Sequence, residues 1–515
     1  MFKRVIVVFF FFGLVTSVSI QAQDKDILCQ VLDKSTQQPI VFATVSIKDR
    51  NNGVIADEDG YFRLPYTYKQ QKDVLIISSI GYESKILEVT SLLDGEINII
   101  KLKPKLEALN AITIVTNKRS RKKNFIPARK IVAKAISNMR LNYPTNSHSY
   151  IAYYRDYQLL DKSYVNLNEG ILEVFDAGFQ TSKIFDSSNQ TALYSYASNI
   201  DFPQDSVLSM SYNQKSSKYI KDATISPLGG NELSILNVHN PIRNNANNSF
   251  SFVYRFKDDF LYNHKFRIIR KMYLDDIPIY EIKFSAIDEI AGVKNSAEGT
   301  IYIAYDSFAI HKFEYNAFGL SKKDPLYSVR LEYVSKRNKM YLNYISFNNR
   351  FQVKNVHSFK IEDVSFDASE NAFYVRFNNE INQNSELNPK DFRFIFRKRK
   401  LKISDVVLTD AKTVKIALIQ GAIPENVNID DRFIKDLKYK IKNIKDVASR
   451  PLGRVSELEV NQFRELFIQE VFENKPLPNN LRFVNKKTNL KKSVINKSED
   501  ISTYWLNIPL KTTKN

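Results

Sequence analysis

Cysteine is almost missing from this 515-residue chain: Cys29 is the only one, so no intramolecular disulfide supports the fold. A thiol nucleophile would have to be Cys29, and no histidine stands near it in sequence. Histidine is scarce too, with His148, His239, His264, His311 and His357 making the full set of 5. A carboxypeptidase-type zinc site needs two histidines and a carboxylate on one metal. His311-Lys312-Phe313-Glu314 fits the His-x-x-Glu string, but His311 lies within an alternating, strand-like segment. On a strand an offset of three sends side chains to opposite faces. The other four histidines are not spaced to complete the site, so His311 is expected on a sheet surface. With 14 glycines the chain contains neither a Gly-x-Ser-x-Gly elbow nor a phosphate-cradling Gly-Lys-Ser/Thr loop. Asp57-x-Asp59-Gly60 opens like a calcium loop, but the place of its bidentate glutamate is held by Tyr68, so a turn is expected. No catalytic residue, metal or cofactor is expected from these patterns.

Long apolar runs are equally few. Lys3 and Arg4 precede one such run, residues 5–20, and Ala22 follows it. Charge, apolar stretch and small residue in that order predict a signal peptide over residues 1–22 and an exported protein of the periplasm or outer membrane. No later stretch is long and apolar enough for a membrane span. Asp24-Lys25-Asp26 separates Cys29 from the apolar run, which argues against lipidation there. Acidic residues fall short of basic ones, 56 against 75, leaving a net charge of +19. An anionic envelope surface is therefore a candidate partner. The basic residues are scattered along the strands, so nucleic acid is not expected. Aromatic residues are plentiful, 28 Tyr and 35 Phe, which favours β-structure.

Residues 23–103 read as about seven short strands separated by turns, a β-sandwich. Val41, Ala43, Val45 and Ile47 share one face at period two. Asn52-Gly53 marks a hairpin, and Val74-Leu75-Ile76-Ile77-Ser78 is a buried-strand run. Pro39, Phe42-Ala43, Gly53, Asp57-Glu58-Asp59-Gly60-Tyr61-Phe62 and Ile80-Gly81-Tyr82 together resemble the carboxypeptidase regulatory-like domain, a transthyretin-like sandwich. The resemblance implies an accessory module of exported Bacteroidota-type proteins and does not imply peptidase activity.

Residues 104–126 read as a linker, with the basic run Lys118-Arg119-Ser120-Arg121-Lys122-Lys123. The stretch is similar to the lead into the plug of TonB-dependent receptors, but the rest of the chain is too short for that transporter class. Residues 127–358 form the largest predicted domain. Its helix spans 127–141, with Ile131, Ala135, Ile136 and Met139 on one stripe. Two alternating segments come next, then strands are predicted at 250–256, 266–273, 278–286, 299–305, 308–315, 327–334 and 339–351. Residues 176–249 read as loops and short helices. Helix, Tyr153-Tyr154-Arg155-Asp156-Tyr157 and Asn168-Glu169-Gly170-Ile171-Leu172-Glu173-Val174 together resemble an exported Bacteroidota-type family of unknown function that carries the same sandwich. One helix beside a long curved antiparallel sheet is half-barrel-like, similar in shape to lipoprotein carriers.

Residues 359–452, ending in Asn443-Ile444-Lys445-Asp446-Val447-Ala448, resemble a bacterial Ig-like domain. Residues 460–472 read as another long strand of the large sheet, so the Ig-like unit is either inserted into that sheet or placed in tandem. Residues 453–515 comprise this return strand and a basic tail, where Trp505, the only tryptophan, is expected to dock.

The fold class is thus mainly β: a seven-stranded sandwich, one helix with a large curved sheet, and an Ig-like unit. Arg155, Asp156, Glu169 and Glu173 are the candidate ligand-facing residues, with an internal ion-pair network as the plainer alternative. The expected function is a non-enzymatic envelope scaffold that binds a partner protein or an apolar or extended ligand. The alternative is a hydrolase, acting on peptide or glycan through carboxylates or a metal.

Overall fold

A computed structural model describes residues 26–50, 52–107, 126–160, 163–179, 187–209, 218–219, 231–245, 258–291, 295–319, 325–356, 359–382, 385–424, 427, 431–454, 456–497 and 504–510. The predicted signal peptide, most of the basic linker and the strand expected at 250–256 lie outside them. Among the described residues no helix is long and apolar enough to cross a membrane.

The first unit is a sandwich of seven strands. One sheet runs Tyr61–Leu64, Ile27–Asp33, Ile97–Leu102, and the other Gly53–Ile55, Thr44–Ile47, Val74–Ser78, Lys85–Glu88. Alternation along Ile27–Asp33 buries Ile27, Cys29 and Val31 in the core. Burial pushes the Cys29 thiol up to about 12, which leaves it protonated and inert. The second strand starts at Thr44 rather than Val41, because Phe42 takes a left-handed φ of 57°. That bend carries the Phe42 ring out of the sandwich and onto the neighbouring sheet.

The large sheet has thirteen strands, and every pairing in it is antiparallel. Eleven of its strands run in the order Gln190–Leu193, Ser163–Asp176, His148–Leu160, Ser456–Glu473, Lys339–Val356, Tyr327–Lys336, Ile310–Phe318, Ser296–Ala304, Ile277–Ala286, His264–Leu274, Leu106–Glu107, while Ala197–Ser198 pairs beside Ser163–Asp176 and Lys218–Tyr219 beside Lys339–Val356. It is open and curved, not a closed barrel. Leu106–Glu107, in the expected linker, pairs with Met272 and Lys271 and so joins the sheet edge. The helix is Ala128–Ser137, shorter than predicted; Pro127 sits outside its first turn, and Met139–Asn142 forms a separate short helix. Ile131, Val132, Ala135 and Met139 pack against one face of the sheet, meeting Tyr154, Ile282, Phe284 and Phe313. Among the described residues these side chains belong to one continuous buried apolar cluster.

The chain leaves the sheet after Lys339–Val356 and returns as Ser456–Glu473, which pairs with that strand on one side and His148–Leu160 on the other. The residues between form a unit of two sheets, one of Ile361–Asp367, Ala372–Phe377, Thr413–Leu418 and Ile403–Asp410, the other of Arg399–Lys400, Phe392–Phe396 and Leu437–Ile441. Stacked Phe373 and Phe394, 4.7 Å apart, centre its core. A buried joint fastens it to the large domain. There Arg450 pairs with Asp446 at 2.7 Å and with Asp205, while Asn379 donates to both carboxylates at 3.0 and 2.9 Å.

Candidate functional site

Side chains of a strand alternate between its two faces. One face of the large sheet meets the helix. On the other, Arg155 lies opposite Glu465 across two strands and pairs with it at 2.5 Å, both buried. Glu465 also accepts from the Tyr344 hydroxyl at 2.7 Å. Further along this face Arg330 stands opposite Glu314, Lys312 opposite Glu332, and Arg270 opposite Glu281.

Three of the four predicted residues share this face. Arg155 and Glu169 are register partners, and Glu169 accepts from Tyr153 and Asn199, both at 2.7 Å. Glu173 accepts from Ser149 at 2.5 Å, Tyr194 at 2.7 Å and Lys475 at 2.7 Å. Asp156, adjacent to Arg155, points to the other face, so the four do not line one surface. It accepts from Asn168 at 2.9 Å and Tyr196 at 3.1 Å. Burial first, then the nearby Glu232 carboxylate, push its pKa up to about 6. All four are thus engaged by the protein's own groups.

His311 is buried, at 4 % exposure, rather than on the sheet surface as expected. The strand starts at Ile310, and its neighbours cover the imidazole; burial lowers its pKa to about 4, so it is neutral. Among the described residues no three His, Cys, Asp or Glu side chains are grouped to hold a metal.

The sandwich sits on the charged face. Phe42 stacks on Tyr344 at 4.5 Å, Ile55 packs beside Ile151, Tyr153 and Phe467, and Glu58 reaches Arg330 at 2.5 Å. Gly81 donates its N–H to the Tyr273 carbonyl at 2.7 Å. A cleft of about 460 Å³ lies at the start of the strand His264–Leu274, bordered by Lys265, Arg267, Lys283, Glu298, Thr300, Glu314 and Asn316. Sequence reading missed this cleft. Its local signal was charge at alternate positions, Lys265-x-Arg267, and a polar pair at the same spacing, Lys283-x-Ser285, but the alignment of four strands is a property of register.

The first unit can now be placed among known proteins. Its sequence matches the CarboxypepD_reg-like domain family over residues 29–114. Residues 29–114 are a CarboxypepD_reg-like domain. No curated protein matches the chain. Two solved structures show a partial likeness. One is a LolA superfamily protein from Nitrosomonas europaea, with 14 % identity, TM-score 0.19, 44 % of this chain covered and 86 % of the other. The second is a DUF1329 family protein from Desulfovibrio piger, with 7 % identity, TM-score 0.20, and coverage of 43 % and 86 %.

The chain's last described segment also holds the CarboxypepD_reg-like domain in place. Trp505 enters that domain's core against Tyr68, ring centroids 5.3 Å apart. Its backbone meets Gln469 of the large sheet through bonds of 2.7 and 3.2 Å. Asn507 bridges the same two units: it accepts from Arg63 N–H at 3.0 Å and Arg155 at 3.1 Å, and donates to the Ile55 carbonyl at 3.2 Å. Domain, tail and sheet therefore share one interface.

Proposed function

We propose that this protein is an exported, non-enzymatic scaffold of the cell envelope. Its large sheet holds an extended ligand in the cleft beside Lys283, while the CarboxypepD_reg-like domain and the unit at residues 359–452 contact partner proteins. The observation carrying this reading is the division of the charged face. Where Arg155, Glu169 and Glu173 lie, the polar groups are paired within the protein, Arg155 with Glu465 and the Asn507 carbonyl, Glu169 with Tyr153 and Asn199, Glu173 with Ser149, Tyr194 and Lys475; at the cleft, exposed charges remain. Concave sites with converging polar groups are the default binding positions of a fold.

The test uses the full chain without its predicted signal, immobilised and exposed to purified outer-membrane and periplasmic fractions. Retention that falls when Lys283→Glu is introduced is the expected result. Hydrolysis of the retained material that depends on one named carboxylate would instead establish the hydrolase alternative. Retention unaffected by Lys283→Glu would remove the cleft from the proposal.

A further inference from the structure

We infer that the cleft recognises an acidic polysaccharide, with Arg267 and Lys283 sharing one of its anionic groups. This rests on the proposed cleft binding and adds the ligand's chemistry. The argument begins with register. At four positions along this face charges directly opposite one another have opposite sign: Arg270 with Glu281, Lys312 with Glu332, Arg330 with Glu314, Arg155 with Glu465; Lys336 meets Lys339 only at the turn that ends their hairpin. Arg267 is instead directly opposite Lys283. Like charges in that relation oppose strand pairing. Lys265, two residues along the same strand, adds a third cation to the same wall.

Among the described residues no ion pair joins Lys265, Arg267 or Lys283 to a carboxylate. Glu314 borders the cleft but is held by Lys312 at 3.1 Å. Glu298 is set diagonally, opposite Ser285 and Asn316. Three exposed cations therefore face one uncommitted carboxylate in a cleft of about 460 Å³, within the usual volume of a ligand site. An anion bridging Arg267 and Lys283 would relieve their repulsion.

Glu298 and Asn316 narrow the class. A carboxylate and an amide in the row beside the cations suit hydroxyl groups, whereas Glu298 repels a densely charged polymer. A sugar chain with anions spaced among hydroxyls meets both demands. The net charge of +19 would draw such a polymer to the protein.

The experiment is calorimetric titration of the full chain with oligogalacturonate, a phosphorylated mannan, neutral dextran and poly-glutamate. Arg267→Gln/Lys283→Gln should weaken binding of an acidic glycan at least about tenfold. Lys438→Gln/Lys440→Gln, which removes the same charge from exposed positions in the unit at 359–452, should leave it unchanged. Galacturonate against phosphomannan tells carboxylate from phosphate, and binding of either supports the inference. Equal losses in the two double variants would reduce the effect to net charge and overturn it. Tighter binding of poly-glutamate, or equal binding of dextran, would overturn the sugar assignment. Should all four probes fail while Lys283-dependent retention of envelope material persists, the ligand class is wrong and the cleft reading stands. Loss of that retention as well would refute both.

Discussion

Trp505 offers the sharpest test of how the three parts of the charged face are held together. It is 6 % exposed, lies in the core of the CarboxypepD_reg-like domain, and is carried there by a tail bonded to Gln469 of the large sheet. Trp505→Ala empties that position and should cost about 3–5 kcal/mol, the usual range for truncating a buried aromatic to alanine. Trp505→Phe should cost far less. The indole Nε1–H is buried with no acceptor among the described residues, and an unpaired buried donor carries a penalty of about 1–3 kcal/mol. Phenylalanine removes that penalty while keeping most of the ring, so a net loss below about 1 kcal/mol is expected. Gln469→Ala removes two hydrogen bonds to the Trp505 backbone, worth about 2 kcal/mol together. It keeps the only tryptophan, so emission reports this junction alone. Guanidinium unfolding by circular dichroism gives the stabilities, and hydrogen exchange in the strand Ile27–Asp33 locates the change. Gln469→Ala should shift emission to the red before global unfolding. A cost below about 1 kcal/mol for Trp505→Ala, or water-exposed emission from the unaltered protein, would refute the reasoning.

Three further predictions test other buried groups. Arg155→Met leaves Glu465 buried without its cation and should cost about 3–5 kcal/mol, while Arg155→Met/Glu465→Met should recover most of it in a double-mutant cycle. Asp156 has a folded pKa of about 6 against an ordinary 3.8, so the folded state binds its proton more tightly. Its stabilising contribution is fully present below the unfolded value and is lost as pH rises through about 6; at 1.36 kcal/mol per unit it totals about 3 kcal/mol. Asp156→Asn should flatten the stability–pH curve between those two values, measured by urea unfolding; an unchanged slope would contradict the assignment. At Gly299 an added Cβ would fall 1.9 Å from the Glu314 carbonyl oxygen and 2.5 Å from the Phe284 ring, so Gly299→Ala should lower stability by about 1–3 kcal/mol in a thermal melt.

Much of the sandwich was legible because its signals are local. Period-two alternation placed Ile27, Cys29 and Val31 inside, and Asn52-Gly53 marked the hairpin between Thr44–Ile47 and Gly53–Ile55. Phe42 escaped that logic, since its left-handed φ is invisible in an apolar run. The candidate site was legible only in part. Arg155 and Asp156 are neighbours on a strand, so alternation alone separates their faces. What Arg155 meets could not be read, because Glu465 is 310 residues away in sequence.

The amino-acid sequence by itself determined where strands alternate, where turns interrupt them and which module comes first. Those features depend on residues within a few positions of one another. Tertiary structure decided which charges are neutralised and which are left open. Strand register placed Arg155 beside Glu465 and Arg267 beside Lys283, and a slip of one residue would have reversed the faces of either strand.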